Sequence, residues 1–582
     1  MRPSLLIMAE WRVSPSAPPA YFAALRDLHP LVAQVLYARG FVDPEEARAF
    51  VSSAPAHVDP FALADMDQAV ARILRAIAGG EQIAVYADYD CDGVTAGALL
   101  MHTLNGFGAR AHIYIPNRFE EGYGLNARAL EKLKAQGVNL VITVDCGARA
   151  HSEARYARSL GLDLVITDHH ELEDGAVPDA VAVIDPKRPD CRYPYKHLAG
   201  VGIAFRLAQC LLRTGRSAGY PISGVTEASL LDLVALGTIA DVVPLIGENR
   251  TLVRAGLERL NRAPRLGLRA LIEAAGLHLG AIDATRVGFA LAPRLNAAGR
   301  LENARTAYDL LMSTDPRQAA ELANWLDRQN SERQQVMAEI AADAEQRVRA
   351  QQVDDLPAVL FAASPNYNIG VIGLAAARLA EKFYRPAVVV GVCGDEARGS
   401  CRSIEGFDIT AALDRCRDLL LKHGGHAAAA GFTTRADALD LLQAQLNAIA
   451  VAQQPSGGWQ RILRADAEVT LDQIDTRAIT DLQRLEPHGQ ANPPPTLMVR
   501  AATVLSVRRV GRNNGQGDQP HLQLRLSDAR RTTWDAIAWR MGERAGELAE
   551  GSTVSCICRL SAGSWNSQSR LQLEVLDFRP TT

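Results

Sequence analysis

Paired cysteines are what this chain most clearly lacks. It has nine, an odd number, scattered along its length with no C-x-x-C pair. That argues against a disulfide framework or a thiolate zinc site and fits a reducing compartment. Long apolar runs are also missing. The opening MRPSLLIMAEW meets Glu10 and Arg12 before it reaches signal-peptide length, and no stretch approaches a membrane span. A cytoplasmic protein with no membrane partner is expected. Charge of one sign is missing too. Net charge is -4 over 582 residues, so nothing global announces a nucleic-acid partner, although an acidic metal site would mask a basic groove. No short-period repeat is present. The composition, 48% hydrophobic and 22% charged, is that of a globular chain too long for a single core.

Four acidic clusters stand out against this background. They read Asp88-Tyr-Asp90-Cys-Asp92-Gly93, Val144-Asp145-Cys-Gly, Thr167-Asp168-His169-His170 and Ile239-Ala240-Asp241. Aspartate is a poor strand residue and is rarely buried without a partner. Gathering this many carboxylates beside two histidines calls for cations. The clusters therefore point to a site for two divalent metals and to phosphate chemistry. A histidine ligand among carboxylates shifts preference from Mg²⁺ toward Mn²⁺.

Apolar runs at 82–87, 111–115, 140–144, 164–167 and 180–184 alternate with helical stretches such as 94–104, 126–136 and 148–160. This is the pattern of a parallel sheet covered on both faces, which takes ligands beyond the carboxyl ends of its strands. Three clusters fall at that edge. Asp241 instead follows a helical stretch. Residues 315–351 read as one long helix whose centre, QNSERQQ, is polar all round, as in a helix bridging domains through solvent. A second α/β unit runs from about 356 to 450, followed by a linker-like QQPSGG at 453–458. Short strands then predict a small barrel of the OB type. Residues 501–582 hold eleven arginines, no lysine and eight acidic residues, a mild bias toward a single-strand groove.

Asp88, Asp90 and Asp92 would face one side of an extended segment, with Gly93 opening a helix N-terminus. An EF-hand loop is the alternative for this cluster, but position 12 would need Glu where Leu99 stands. Taken singly, Asp168-His169-His170 is as well read as a surface turn, and Asp241 as a helix cap. Arg118 and Tyr123 lie in the loop NRFEEGYG, Asn296 and Arg300 in PRLNAAGR, Arg402-Ser403 after a strand, and His426 in HGGH before AAAAGF. Loop arginines are commonly solvated charges; glycine-flexed settings make these substrate candidates.

The ordered set DYDCDG, VDCG, TDHH and ALGTIADVVPL resembles the four motifs of the DHH phosphoesterase superfamily, and LKHGGHAAAAGF resembles the GGH motif of its associated second domain. NRFEEGYGL, PRLNAAGRL, RSIEGFDI and LEPHGQANPPP narrow the resemblance to its single-strand-specific 5′→3′ exonucleases, over residue 30 to the end. Tyr367-Asn368 departs from the Trp-His common there.

The resemblance implies an α/β fold: a parallel-sheet DHH domain at 76–314 with a helical extension, 1–75, packed on it. A connecting helix at 315–351 leads to a DHHA1 domain at 352–452 and an OB-fold at 459–582. It implies Asp90, Asp92, Asp145, His169 and Asp241 as ligands of two divalent cations, Mn²⁺ or Mg²⁺, with Asp145 bridging. Asp88, Asp168 and His170 support catalysis. Arg118, Tyr123, Asn296, Arg300, Arg402, Ser403 and His426 bind substrate. The implied activity is release of 5′-mononucleotides from single-stranded DNA with a free 5′ end, in repair and recombination. The expected protein is a monomer, with single-strand binding protein and a RecQ-type helicase as partners. Two rivals remain open: a small-substrate phosphatase or short-RNA nuclease of the superfamily, and a non-catalytic DNA-binding scaffold.

Overall fold

The computed structural model describes residues 9–52, 58–117, 121–122, 124–262, 265–301, 303–350, 356–511, 520–565 and 568–581. The chain divides into two compact units, Met1–Pro55 with Gln460–Thr582, and Ala56–Trp459.

The larger unit begins with a five-stranded parallel sheet. Its spatial order is Ala111–Tyr114, Ile83–Ala87, Leu140–Val144, Asp163–Thr167, Ala182–Ile184. Strand residues are apolar almost without a break because both faces are covered. Ile83, Val85 and Ala87 enter the core on one face, while Ala84 and Tyr86 enter a second core on the other. The first strand has its sequence neighbours on opposite sides, so the order reverses between Ile83–Ala87 and Leu140–Val144. Such a switch point opens a crevice at the carboxyl edge.

Helix Pro316–Ala350 has 35 residues, a length of about 52 Å. Ala319, Ala323 and Leu326 bury into the first domain's core. Ile340, Ala341, Ala344 and Val348 bury against strand Leu360–Ser364 and helix Ile372–Phe383. At its polar centre Ser331, Glu332, Gln334 and Gln335 are exposed. Asn330 is buried and its Oδ1 accepts from Arg333 Nη2 at 2.9 Å.

The second domain is a mixed sheet in the order Leu420–His426, Ala429–Arg435, Glu396–Arg402, Ala387–Cys393, Leu360–Ser364. The GGH segment is one arm of an antiparallel hairpin, with His426 opposite Ala429. Trp459 closes this domain by packing on Phe407 at 5.8 Å between ring centroids.

The smaller unit is a closed barrel. Thr496–Val510, His521–Ser527, Thr533–Ala538, Gln568–Thr581 and Thr553–Trp565 pair in that order, and the last pairs back to the first. The expected helical extension at 1–75 needs correcting. Strand Glu10–Val13 pairs in parallel with Ile462–Ala465, and Met1–Pro55 groups with the barrel. Only the part from Ala56 onward, including helix Met66–Ala78, belongs to the DHH-like core. Backbone pairing, which leaves no mark on local sequence, decided this.

Candidate metal centre

The first strand stops at Ala87 and a helix starts at Cys91. The extended alternation expected for Asp88, Asp90 and Asp92 is therefore broken midway. Asp90 is the N-cap of helix Cys91–Gly106; its Oδ1 accepts from Asp92 N at 2.9 Å and Gly93 N at 3.0 Å. Asp92, in the first turn, points to a second helix start. Its Oδ2 accepts from Gly200 N at 2.6 Å and its Oδ1 from Val201 N at 2.9 Å. Both bonds use free amides at the N-terminus of Gly200–Ser217, where negative charge is favoured. Gly93 lies inside the helix rather than opening it, and a Cβ there would sit 2.6 Å from Asp88 O.

Asp145 follows the third strand with φ +62°, a left-handed conformation that aspartate tolerates better than most residues. A Cβ on Gly200 would lie 2.6 Å from Asp145 Cβ, so glycine at that helix start admits the carboxylate. Asp168 caps its own turn. Its Oδ1 accepts from His169 N at 2.7 Å, His170 N at 3.2 Å and His170 Nδ1 at 2.7 Å, while its Oδ2 accepts from Ala148 N at 2.7 Å. Asp241 ends helix Leu231–Ala240 as its C-cap.

Three sets of donors each lie within 4.8 Å of one another: Asp88, Asp90 and Asp145; Asp92, His169 and Asp241; and Asp145, Asp168, His169 and His170. His169 Nε2 is 3.0 Å from Asp145 Oδ1, 3.6 Å from Asp241 Oδ2 and 4.0 Å from Asp92 Oδ2. Donors at about 2.1 Å from one octahedral ion are roughly 3 Å apart, so this spacing is ligand-like. Asp145 joins the two halves of the cluster. Asp88 groups with Asp90 and Asp145 as a potential ligand, closer to the centre than the supporting position expected for it.

The electrostatics ask for cations. Burial, then the charge of Asp90, pushes Asp92 up to about 7. Burial, then Asp92 and Asp90, pushes Asp241 up to about 9. Burial and the surrounding aspartates raise Asp145 well above the carboxylate range. Burial, then His170, pulls His169 down to about 4, leaving the neutral imidazole a metal needs. His170 behaves oppositely. Burial pulls it down, but its hydrogen bond to Asp168 and the charge of that carboxylate outweigh this and raise it to about 9. Burial raises Asp168, and the same bond more than offsets it, leaving the carboxyl below its usual value. His169 Nε2 and Asp241 Oδ2 are buried and have no hydrogen-bond partner among the described residues. Orphaned donor atoms of this kind cost free energy unless something coordinates them. The residues present fit two divalent cations.

Asn296 Oδ1 accepts from Cys91 N at 2.7 Å, so it braces the start of the ligand-bearing helix. Ser403 Oγ is spent on Phe407 O at 2.6 Å. Arg402 Nη1 donates to Ser400 Oγ at 3.1 Å and to Cys401 O at 2.8 Å, and no carboxylate pairs with it among the described residues. A Cβ on Gly373, in the first turn of Ile372–Phe383, would lie 3.0 Å from Arg402 Nη2. Ser400, which sequence reasoning missed, lies beside Arg402 and the first turn of that helix. It is two residues from Arg402 on the same strand face, and that spacing was the available signal. His426 is exposed, and its charge reaches Glu171, the neighbour of His170. Arg118, Tyr123 and the side chain of Arg300 lie outside the described residues. Asp185 was also missed. It is fully buried and follows the fifth strand, with the apolar-run-then-aspartate pattern of the other clusters.

A switch-point crevice lined by this cluster defines a two-metal phosphoesterase of the DHH class. Family models agree. The N-terminal domain of the DHH family matches residues 82–238, the DHHA1 domain 356–452 and the RecJ OB domain 465–577. The single-stranded-DNA-specific exonuclease RecJ of Bacillus subtilis is 40% identical over 551 residues, covering 94% of this chain and 68% of that protein. RecJ of Thermus thermophilus is 33% identical, covering 99% and 78%. A crystal structure of Thermus thermophilus RecJ in complex with Mn²⁺ matches 98% of this chain and 80% of that one, with TM-score 0.80 and 30% identity. The chain belongs to the RecJ family of single-stranded-DNA-specific exonucleases.

Proposed function

We propose that this protein is a metal-dependent 5′→3′ exonuclease that releases 5′-mononucleotides from single-stranded DNA. The observation that carries the reading is Asp145, common to two donor sets at a parallel-sheet switch point. Two bound divalent cations supply Lewis-acid stabilisation of phosphoryl charge and a lowered pKa for the attacking water. The protein's own groups do the rest. Asp88, Asp90, Asp92, Asp145, His169 and Asp241 would hold the ions, and Asp168 orients the His170 ring. His170, cationic at neutral pH, offers a proton near the leaving oxygen.

Polarity is supported by Arg402. Its guanidinium lies beside Ser400 and the first turn of helix Ile372–Phe383, where free amides favour a terminal phosphate. His426 is close enough for its charge to act on Glu171, the residue after His170. The barrel's basic bias adds single-strand affinity. Cytoplasmic location, a monomeric state, a role in repair, and partnership with single-strand binding protein or a RecQ-type helicase rest on the resemblance. Among the described residues no helix is long and apolar enough to cross a membrane.

The test is digestion of 5′-labelled and 3′-labelled strands, single and duplex, with Mn²⁺ or Mg²⁺. The expected result is early release of the 5′ label from single strands and little attack on blunt duplex. Early release of the 3′ label would refute the polarity. Asp145→Ala should abolish cleavage while strand binding persists.

A further inference from the structure

Lys187 lies on the turn after the fifth strand, at the sheet edge that carries Asp168. The turn is firmly held. Asp185 Oδ1 accepts from Lys187 N at 2.8 Å, and Arg188 donates to Val183 O at 2.6 Å and to Asp190 Oδ2 at 2.7 Å. The Lys187 side chain is a quarter exposed. Its ammonium sits 2.9 Å from Glu171 Oε1, on the residue after His170. The Glu171 side chain is 61% exposed, so the pair is a weak one that a better anion displaces cheaply. The Lys187 charge reaches both His169 and Asp241.

The charge inventory gives this lysine a task. Asp88, Asp90, Asp92, Asp145 and Asp241 gather five carboxylates beside His169 and the hydrogen-bonded Asp168–His170 pair. Two divalent cations supply positive charge. A phosphodiester adds negative charge, and more gathers on the phosphoryl oxygens during transfer. A further cation is needed at the rim, and Lys187 is one once Glu171 releases it.

We propose that Lys187 is a phosphate-binding residue of this site, held by Glu171 until the strand arrives and then passed to a DNA phosphate beside the metal centre. The proposal rests on the nuclease reading. It adds a contact from the turn after the fifth strand, and it makes Glu171 a placeholder that the substrate displaces.

The experiment measures binding of a 5′-phosphorylated, 3′-fluorescent oligothymidylate to the full chain in Ca²⁺, by anisotropy over a salt series. Thermal midpoints are recorded in parallel. Lys187→Gln should weaken binding about tenfold and reduce the salt slope by roughly 0.7, the loss of one single-strand phosphate contact. Lys187→Arg should keep the slope. Glu171→Gln should keep the slope and bind at least as tightly as the parent. If the two glutamine variants weaken binding together, or neither changes it while both lower the midpoint, the pair is structural and the proposal is wrong. A parent protein that fails to bind the strand overturns the nuclease reading itself, a result distinct from an unchanged slope in the variants.

Discussion

At Asp241 a carboxylate closes the C-terminal end of a helix, where the helix dipole disfavours negative charge by about 0.3–1 kcal/mol. A bound cation reverses that sign. The same reasoning fixes a pH dependence. Asp92 and Asp241 titrate near 4 when unfolded and at about 7 and about 9 when folded without metal, and His170 is raised from 6.5 to about 9. From pH 6.5 to 9 the folded state therefore holds protons that the unfolded chain has released. With more protons bound in the native state, stability falls as pH rises. The metal-free protein should lose thermal stability across this window. Below 6.5 the lowered His169 works in the opposite direction. Divalent cations compete with these protons, so the rise in thermal midpoint on adding Mn²⁺ should be larger at pH 8.5 than at 6.5. Scanning calorimetry at both pH values, with and without metal, decides it. An equal rise at both would mean that these carboxylates are not the ligands.

The ligands are only as well placed as the helices that carry them. Two helix starts, Cys91–Gly106 and Gly200–Ser217, meet at Asp92, and Gly200 lets Asp145 approach the second of them. Gly200→Ala should cost about 1–3 kcal/mol through overpacking. By moving Asp145 it should weaken Mn²⁺ binding about tenfold or more. Calorimetric Mn²⁺ titration that gave the parent affinity would show that this contact does not position the ligand. At this scale the sequence was legible where local pattern and final structure agree. The apolar runs at 82–87 and 140–144 are strands because both faces of the sheet are covered. The pattern misled where a side chain overrode it. Asp90 captures the amides of Asp92 and Gly93 and starts a helix where alternation pointed to extended chain. The GGH hairpin was unreadable as strand, because glycine carries little β-propensity and pairing with neighbours supplies the rest.

Across the whole molecule, the division into units follows backbone pairing between the two ends of the chain, which no local window contains. Glu10–Val13 adds to Ile462–Ala465, Trp11 Nε1 donates to Asp577 at 2.8 Å, and Arg39 donates to Asn492 Oδ1 at 2.7 Å. Removing residues 460–582 alone would strip these partners from the first 55 residues. It would leave an unpaired strand edge and uncover the apolar side of helix Pro30–Ala38, a recipe for aggregation. A chain of residues 56–459 has no such debt. Its cores draw on residues inside that range, and the metal donors all lie there. The expected outcome is that 56–459 elutes as a single species and retains metal-dependent cleavage with weaker strand affinity, while 1–459 aggregates. If 1–459 were equally well behaved on size exclusion, the N-terminal segment would be an appendage rather than part of the barrel unit. The barrel's contribution to strand affinity would then have to be measured without it.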